Sequence, residues 1–142
     1  MSTRELTGSA APGRRIGRSI FALFSGFVVN ILMSLATDVT FQAIGVMPVL
    51  GQQPMSDFQS ALAAAYRMVY CVFSSYVVAW LAPCRPMAHA LIGAGAGMVI
   101  ATVGAIATWN KGLGPHWYAL LLVVLALPTG WLGGKLRLMQ MR

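Results

Sequence analysis

Only three of the 142 residues are acidic, Glu5, Asp38 and Asp57, and charged residues of both signs make up 9% of the chain. Paired carboxylates for general acid–base chemistry are therefore in short supply. Two cysteines cannot staple a disulfide scaffold. With 58% of residues hydrophobic, the scarcity of charge also excludes a disordered chain. What the sequence has in quantity is uncharged apolar run, and its mean hydropathy of +0.72 is that of a membrane protein. The ten basic residues give a net charge of +7, which in a soluble chain would raise nucleic acid as a partner. Their placement, taken up below, argues for no nucleic acid here.

A helix rising about 1.5 Å per residue needs about 20 apolar residues to cross a hydrocarbon layer about 30 Å thick. Four segments fit, over residues 19–37, 58–81, 87–107 and 117–132. The first is bounded by Arg18 and Asp38, and the second is interrupted only by Arg67. Pro83 and Pro86 separate the second from the third, and the turn-forming run Asn110 to Pro115 precedes the fourth, which is the shortest. The sequence thus predicts an all-α integral membrane protein, a four-transmembrane-helix bundle over residues 18–134. It is flanked by a flexible basic cytoplasmic tail over 1–17 and a second basic tail over 135–142. Two other readings are weaker. Arg14, Arg15 and Arg18 followed by an apolar run ending in Ser34-Leu35-Ala36 resemble a secretory signal, but the run is long for one. Barrel strands would alternate in segments of about ten residues, and these runs do not.

Counting Lys and Arg by side gives the orientation. With the N-terminus inside, Arg4, Arg14, Arg15, Arg18, Arg85, Lys135, Arg137 and Arg142 are inner and Lys111 alone is outer. The excess predicts both termini in the cytoplasm and argues against insertion in both orientations. Trp80 and Trp131 at inner ends, and Trp109, Trp117 and Tyr118 at outer ones, suit interfacial rings. Residues 38–56 form an outer segment that is apolar over Val39 to Leu50 but too short to span. It is expected to lie in the interface, cap the bundle, or continue the first helix by a turn or two.

Arg67 is the most informative residue. At 14 positions from Leu81 it lies about 21 Å from the inner boundary, in the outer half of the membrane, where it requires compensation. Asp38 at the end of the first span is the nearest counter-charge, and Asp57 is the other candidate. Ser60, Ala64, Arg67, Cys71 and Ser74 share one helical face, small and polar, predicted to point into the bundle. Leu62, Tyr66, Val69, Phe73, Tyr76 and Trp80 share the opposite face, predicted to meet lipid. Arg67 reads either as a structural ion pair or as a residue that binds an anion or lines a polar pathway.

In the third span Gly93, Gly97, Ala101 and Ala105 recur every four residues, a small-residue ladder that lets helices approach closely within the chain or between copies. Gly93 to Gly97 is no dinucleotide loop, since no strand precedes it. His89 and His116 fall at opposite membrane faces, and Cys84, Met87 and His89 are too few and too loosely spaced to make a metal site. No nucleophile, histidine and acid share one side at a recognisable spacing, so no catalytic residues, cofactor or metal are expected.

Tyr66-Arg67, Leu81-Ala82-Pro83 with Pro86-Met87 and His89-Ala90, Gly114-Pro115 with Trp117-Tyr118, and Pro128 with Trp131-Leu132-Gly133-Gly134 form a pattern over about residues 20 to 135. It resembles a family of small uncharacterised bacterial membrane proteins. The resemblance implies a bacterial inner membrane and four spans, with no activity to carry over. The expected function is a structural or accessory role through helix–helix contacts, with the bilayer and either a second copy or a larger membrane protein as partners. The alternative is a homo-oligomeric transporter or channel subunit with Arg67 lining a polar pathway.

Overall fold

A computed structural model describes residues 12–49 and 51–142. The part of the predicted flexible tail over residues 1–11 lies outside the described residues. Four helices follow in order: α1 (Pro12–Ala43), α2 (Asp57–Leu81), α3 (Pro86–Thr108) and α4 (His116–Gln140). Each is long and apolar enough to cross a membrane, the shortest, 23 residues, spanning about 35 Å.

Two helices outrun the apolar segments that mark them. Residues 12–17, read from sequence as flexible tail, are the first turns of α1, where Arg14 and Arg15 are exposed and nothing interrupts the backbone hydrogen bonding. At its other end α1 passes Asp38 and stops at Ala43, just before Gly45 takes up a left-handed φ of +74°. The Val46 and Met47 amides both return to the Phe41 carbonyl, at 2.9 and 3.1 Å, and so close that end. Likewise α4 runs through Gly133 and Gly134 to Gln140 instead of stopping at Leu132. The boundaries of α2 are conventional. Ser56 and Gln59 form a reciprocal capping box at its start, with bonds of 3.3 and 3.0 Å.

Helix α2 packs against all three others, α4 lies along both α2 and α3, and α1 touches α2 and α3 but not α4. Close approach depends on glycines of α1 and α4. A Cβ on Gly133 would meet the Val72 carbonyl oxygen and lie 2.7 Å from Ser75 Cβ. A Cβ on Gly130 would collide with Ala94, and one on Gly26 with Val78. The tight seams therefore lie on α4 and α1, whereas the α3 ladder is only partly used. Gly93 borders Leu23 and Val78, Ala105 is buried, and Gly97 has no neighbour within 4 Å.

The start of α1 and the end of α4 lie at the same end of the bundle, the terminal end, where the Ser19 hydroxyl and His89 Nε2 lie 2.9 Å apart and the Tyr76 hydroxyl bonds Gln140 at 2.6 Å. The opposite end is capped by the α1–α2 connection. Met47 is buried, Gln59 Nε2 donates to the Val46 carbonyl at 2.8 Å, and the Met55 amide donates to the Leu113 carbonyl at 2.9 Å. Residues 38–43 thus extend α1, and Val46, Met47 and Met55 beyond it take part in capping the bundle.

Candidate functional site

Ala63 and Ala64 are buried one turn before Arg67, so α2 sits close to its neighbours and Arg67 emerges into a confined space. Its Nη2 donates to Asp38 Oδ2 at 2.7 Å, with the two side chains 34% and 24% exposed. The other carboxylate oxygen, Oδ1, accepts from the Tyr66 hydroxyl. A carboxylate removed from water needs both oxygens satisfied, and this arrangement supplies one charged and one neutral donor. Around it, the hydroxyls of Thr37 and Tyr70 lie 2.7 Å apart, and the Tyr66 ring has the rings of Phe41 and Tyr70 at 5.8 and 5.7 Å.

Tyr66 corrects its sequence-based assignment to lipid, because its hydroxyl turns across to α1. Tyr76 does likewise with Gln140, whereas Val69, Phe73 and Trp80 of the same predicted face are exposed. On the opposite face Ser60, Ala64 and Ser74 are buried. Asp57 does not join the cluster. It stands ten residues, about 15 Å, along α2 from Arg67, and accepts from Trp117 Nε1 at 2.9 Å, joining the starts of α2 and α4.

Arg67 belongs to the wall of two cavities. The larger, about 320 Å³, is a cleft between α1 and α3 with α2 and α4 as its floor. From α1 come Gly26, Asn30 and Ser34, from α2 Arg67, Cys71 and Ser74, from α3 Gly93, Gly97 and Ala101, and from α4 Leu122, Ala126 and Thr129. Ile31 and Ile100 also line it while 59% and 61% exposed, so it opens sideways between them. Towards the terminal end it closes where Leu23 meets Gly93. The smaller cavity, about 70 Å³, lies under the cap and is lined by Asp38, Gln42, Met47, Tyr66 and Arg67 among others. The Arg67–Asp38–Tyr66 cluster stands between the two.

Two polar atoms of the cleft-lining side chains, Asn30 Oδ1 and Arg67 Nε, are buried with no hydrogen-bond partner among the described residues. Each such group costs about 1–3 kcal/mol unless it is satisfied. Asn30 and Ser34 are functional candidates that the sequence reading missed. Their signal was the four-residue spacing Gly26, Asn30, Ser34, which puts one small or polar residue per turn on a single face of α1.

The remaining ladder residue, Ala105, is buried beyond the cleft. His89 and His116 lie at opposite ends, the latter with Nε2 2.9 Å from the Trp109 carbonyl. Among the described residues no three His, Cys, Asp or Glu side chains are grouped so as to hold a metal, and Cys71 and Cys84 are free thiols.

By the length and composition of its helices the chain is an all-helical, multi-pass membrane protein. No family model, curated protein or solved structure matches it.

Proposed function

We propose that the chain is an accessory component of a bacterial inner membrane, with both termini in the cytoplasm, acting through contacts between transmembrane helices. The observation that carries this reading is on α3. Gly104 is exposed and has no atom within 4 Å of where a Cβ would stand. Small residues left uncovered in lipid allow a second helix to approach closely. The orientation is supported by Arg14, Arg15, Arg18, Arg85, Lys135, Arg137 and Arg142 gathering at the terminal end, against Lys111 at the capped end. The bacterial inner membrane rests on the family resemblance. Gentle purification of the full chain from its own host tests the role: a stoichiometric larger partner, lost on Gly104→Leu, supports it. A chain that purifies alone sinks it.

A second reading, a homo-oligomeric transporter or channel subunit, is favoured by the position of Arg67 between the two cavities. It requires a discrete homo-oligomer and a solute flux that Arg67→Lys abolishes, because lysine keeps the charge but loses the forked donor geometry. An accessory protein tolerates the same change.

A further inference from the structure

The cleft between α1 and α3 has properties that the accessory reading does not use. At about 320 Å³ it is far too narrow for a helix about 10 Å across, yet it falls within the range of small-ligand sites. Its mouth lies between two exposed isoleucines on lipid-facing helices, so whatever enters comes from the bilayer. Its walls are mostly apolar, from Phe27 and Met68 to Leu122 and Ala126.

The polar part of the wall sets the head group. Arg67 is matched by Asp38, and Asp38 also holds Tyr66, so the charged cluster is already neutral. Asn30 lies eight residues along α1 from Asp38, about 12 Å deeper in the membrane. A net charge brought to that depth costs several kcal/mol, while a hydroxyl or ester costs far less when it finds partners. Asn30 and Arg67 line the cleft, and among the described residues Asn30 Oδ1 and Arg67 Nε, one an acceptor and one a donor, have no partner; both lie just behind the wall, within reach of a head group once the side chains turn towards it. Ser34 adds a hydroxyl, and Gly97 leaves the opposite wall open.

We infer that the cleft is a binding site for an uncharged amphiphile taken up sideways from the bilayer, with a head that donates and accepts hydrogen bonds held by Asn30, Ser34 and Arg67. This is independent of the accessory role, because Gly104, on which that role is tested, does not line the cleft.

The test uses the full chain in phosphatidylcholine nanodiscs and monodecanoylglycerol bearing a diazirine near the end of its chain, with labelled residues mapped by mass spectrometry. Labelling of cleft residues such as Met68, Ala101 and Leu122 is expected to saturate and to fall at least fivefold with excess unlabelled monodecanoylglycerol. Labelling of the lipid-facing Phe24 is expected not to saturate. Gly97→Leu, which grows into the cleft, is expected to lower the saturable labelling at least fivefold, and Gly95→Leu, outside the cleft, to leave it unchanged. If Gly97→Leu does not fold, competition on the unaltered chain decides alone. Competition by decane equal to that by monodecanoylglycerol, stronger competition by decanoate, or cleft labelling that never saturates would each overturn the proposal. Competition by dioleoylglycerol as well would place the source among the bilayer's own lipids, and its absence would indicate a single-chain amphiphile; either result supports the site.

Discussion

Asp38 is the residue on which the intramembrane cluster depends, since it alone accepts from both Arg67 and Tyr66. Removing it leaves a guanidinium without a counter-charge in a poorly solvated place, whereas removing Arg67 leaves a carboxylate that still holds a phenol. Asp38→Ala is therefore expected to destabilise the chain by about 1–3 kcal/mol, the low side of the range for broken buried pairs because both side chains keep some exposure. The double variant Asp38→Ala with Arg67→Leu is expected to be more stable than Asp38→Ala alone. A double-mutant cycle by unfolding in sodium dodecyl sulfate measures this, and strict additivity would show that the two side chains do not interact. The partnership could be read from the sequence because a charge within a span needs an acid within reach, and the chain offers few. Tyr66 could not be read in this way. Helical periodicity put it on the lipid side, and only the reach of its hydroxyl across to α1 brings it into the cluster.

At the scale of the element, glycines separate into those that permit contact and those that stand free. On α4, a methyl group at Gly133 has the Val72 carbonyl and Ser75 in its way. Gly133→Ala is expected to cost about 1–3 kcal/mol through overpacking. On α3, Gly95 has nothing within 4 Å, so Gly95→Ala is expected to be neutral or stabilising by up to about 1 kcal/mol through helix propensity. Thermal denaturation of both variants in one detergent checks the contrast, and equal effects would place the two glycines in similar surroundings. The sequence displayed a regular ladder on α3, yet the tightest contacts fall on Gly130 and Gly133 of α4 and Gly26 of α1. Spacing reveals that a face is small, but not which neighbour will use it. Helix ends depart from the hydropathy limits for a related reason. Hydropathy marks where lipid begins, while a backbone in helical form continues through arginines or paired glycines until a turn residue such as Gly45 stops it.

For the whole molecule, the number of spans follows from hydropathy alone, because four long apolar runs, one of them broken only by Arg67, can be buried in a bilayer in few other ways. The distribution of basic residues then predicts a sidedness that can be measured. A C-terminal green fluorescent protein fusion is expected to fluoresce and an alkaline phosphatase fusion at the same place to be inactive. A cysteine introduced at Lys111, in a chain with Cys71→Ser and Cys84→Ser, is expected to react with an impermeant maleimide from outside. The reverse pattern would invert the orientation. How the helices group was not legible, since every span has a small-residue face; the structure sets α1 to one side, touching no part of α4.

The backbone bond between Met55 and Leu113 joins two connections that are far apart in the chain. It ties the hairpin of α1 and α2 to the hairpin of α3 and α4 at the capped end, while α4 lies along α2 through the middle of the bundle. The short turn from Ala82 to Arg85 is thus the least necessary of the joins, and the protein is in this sense two interlocking halves. Expressed as separate pieces, residues 1–83 and 84–142 are expected to find each other in the membrane and co-purify; pieces that insert but remain apart would show that the covalent turn does what the interface does not.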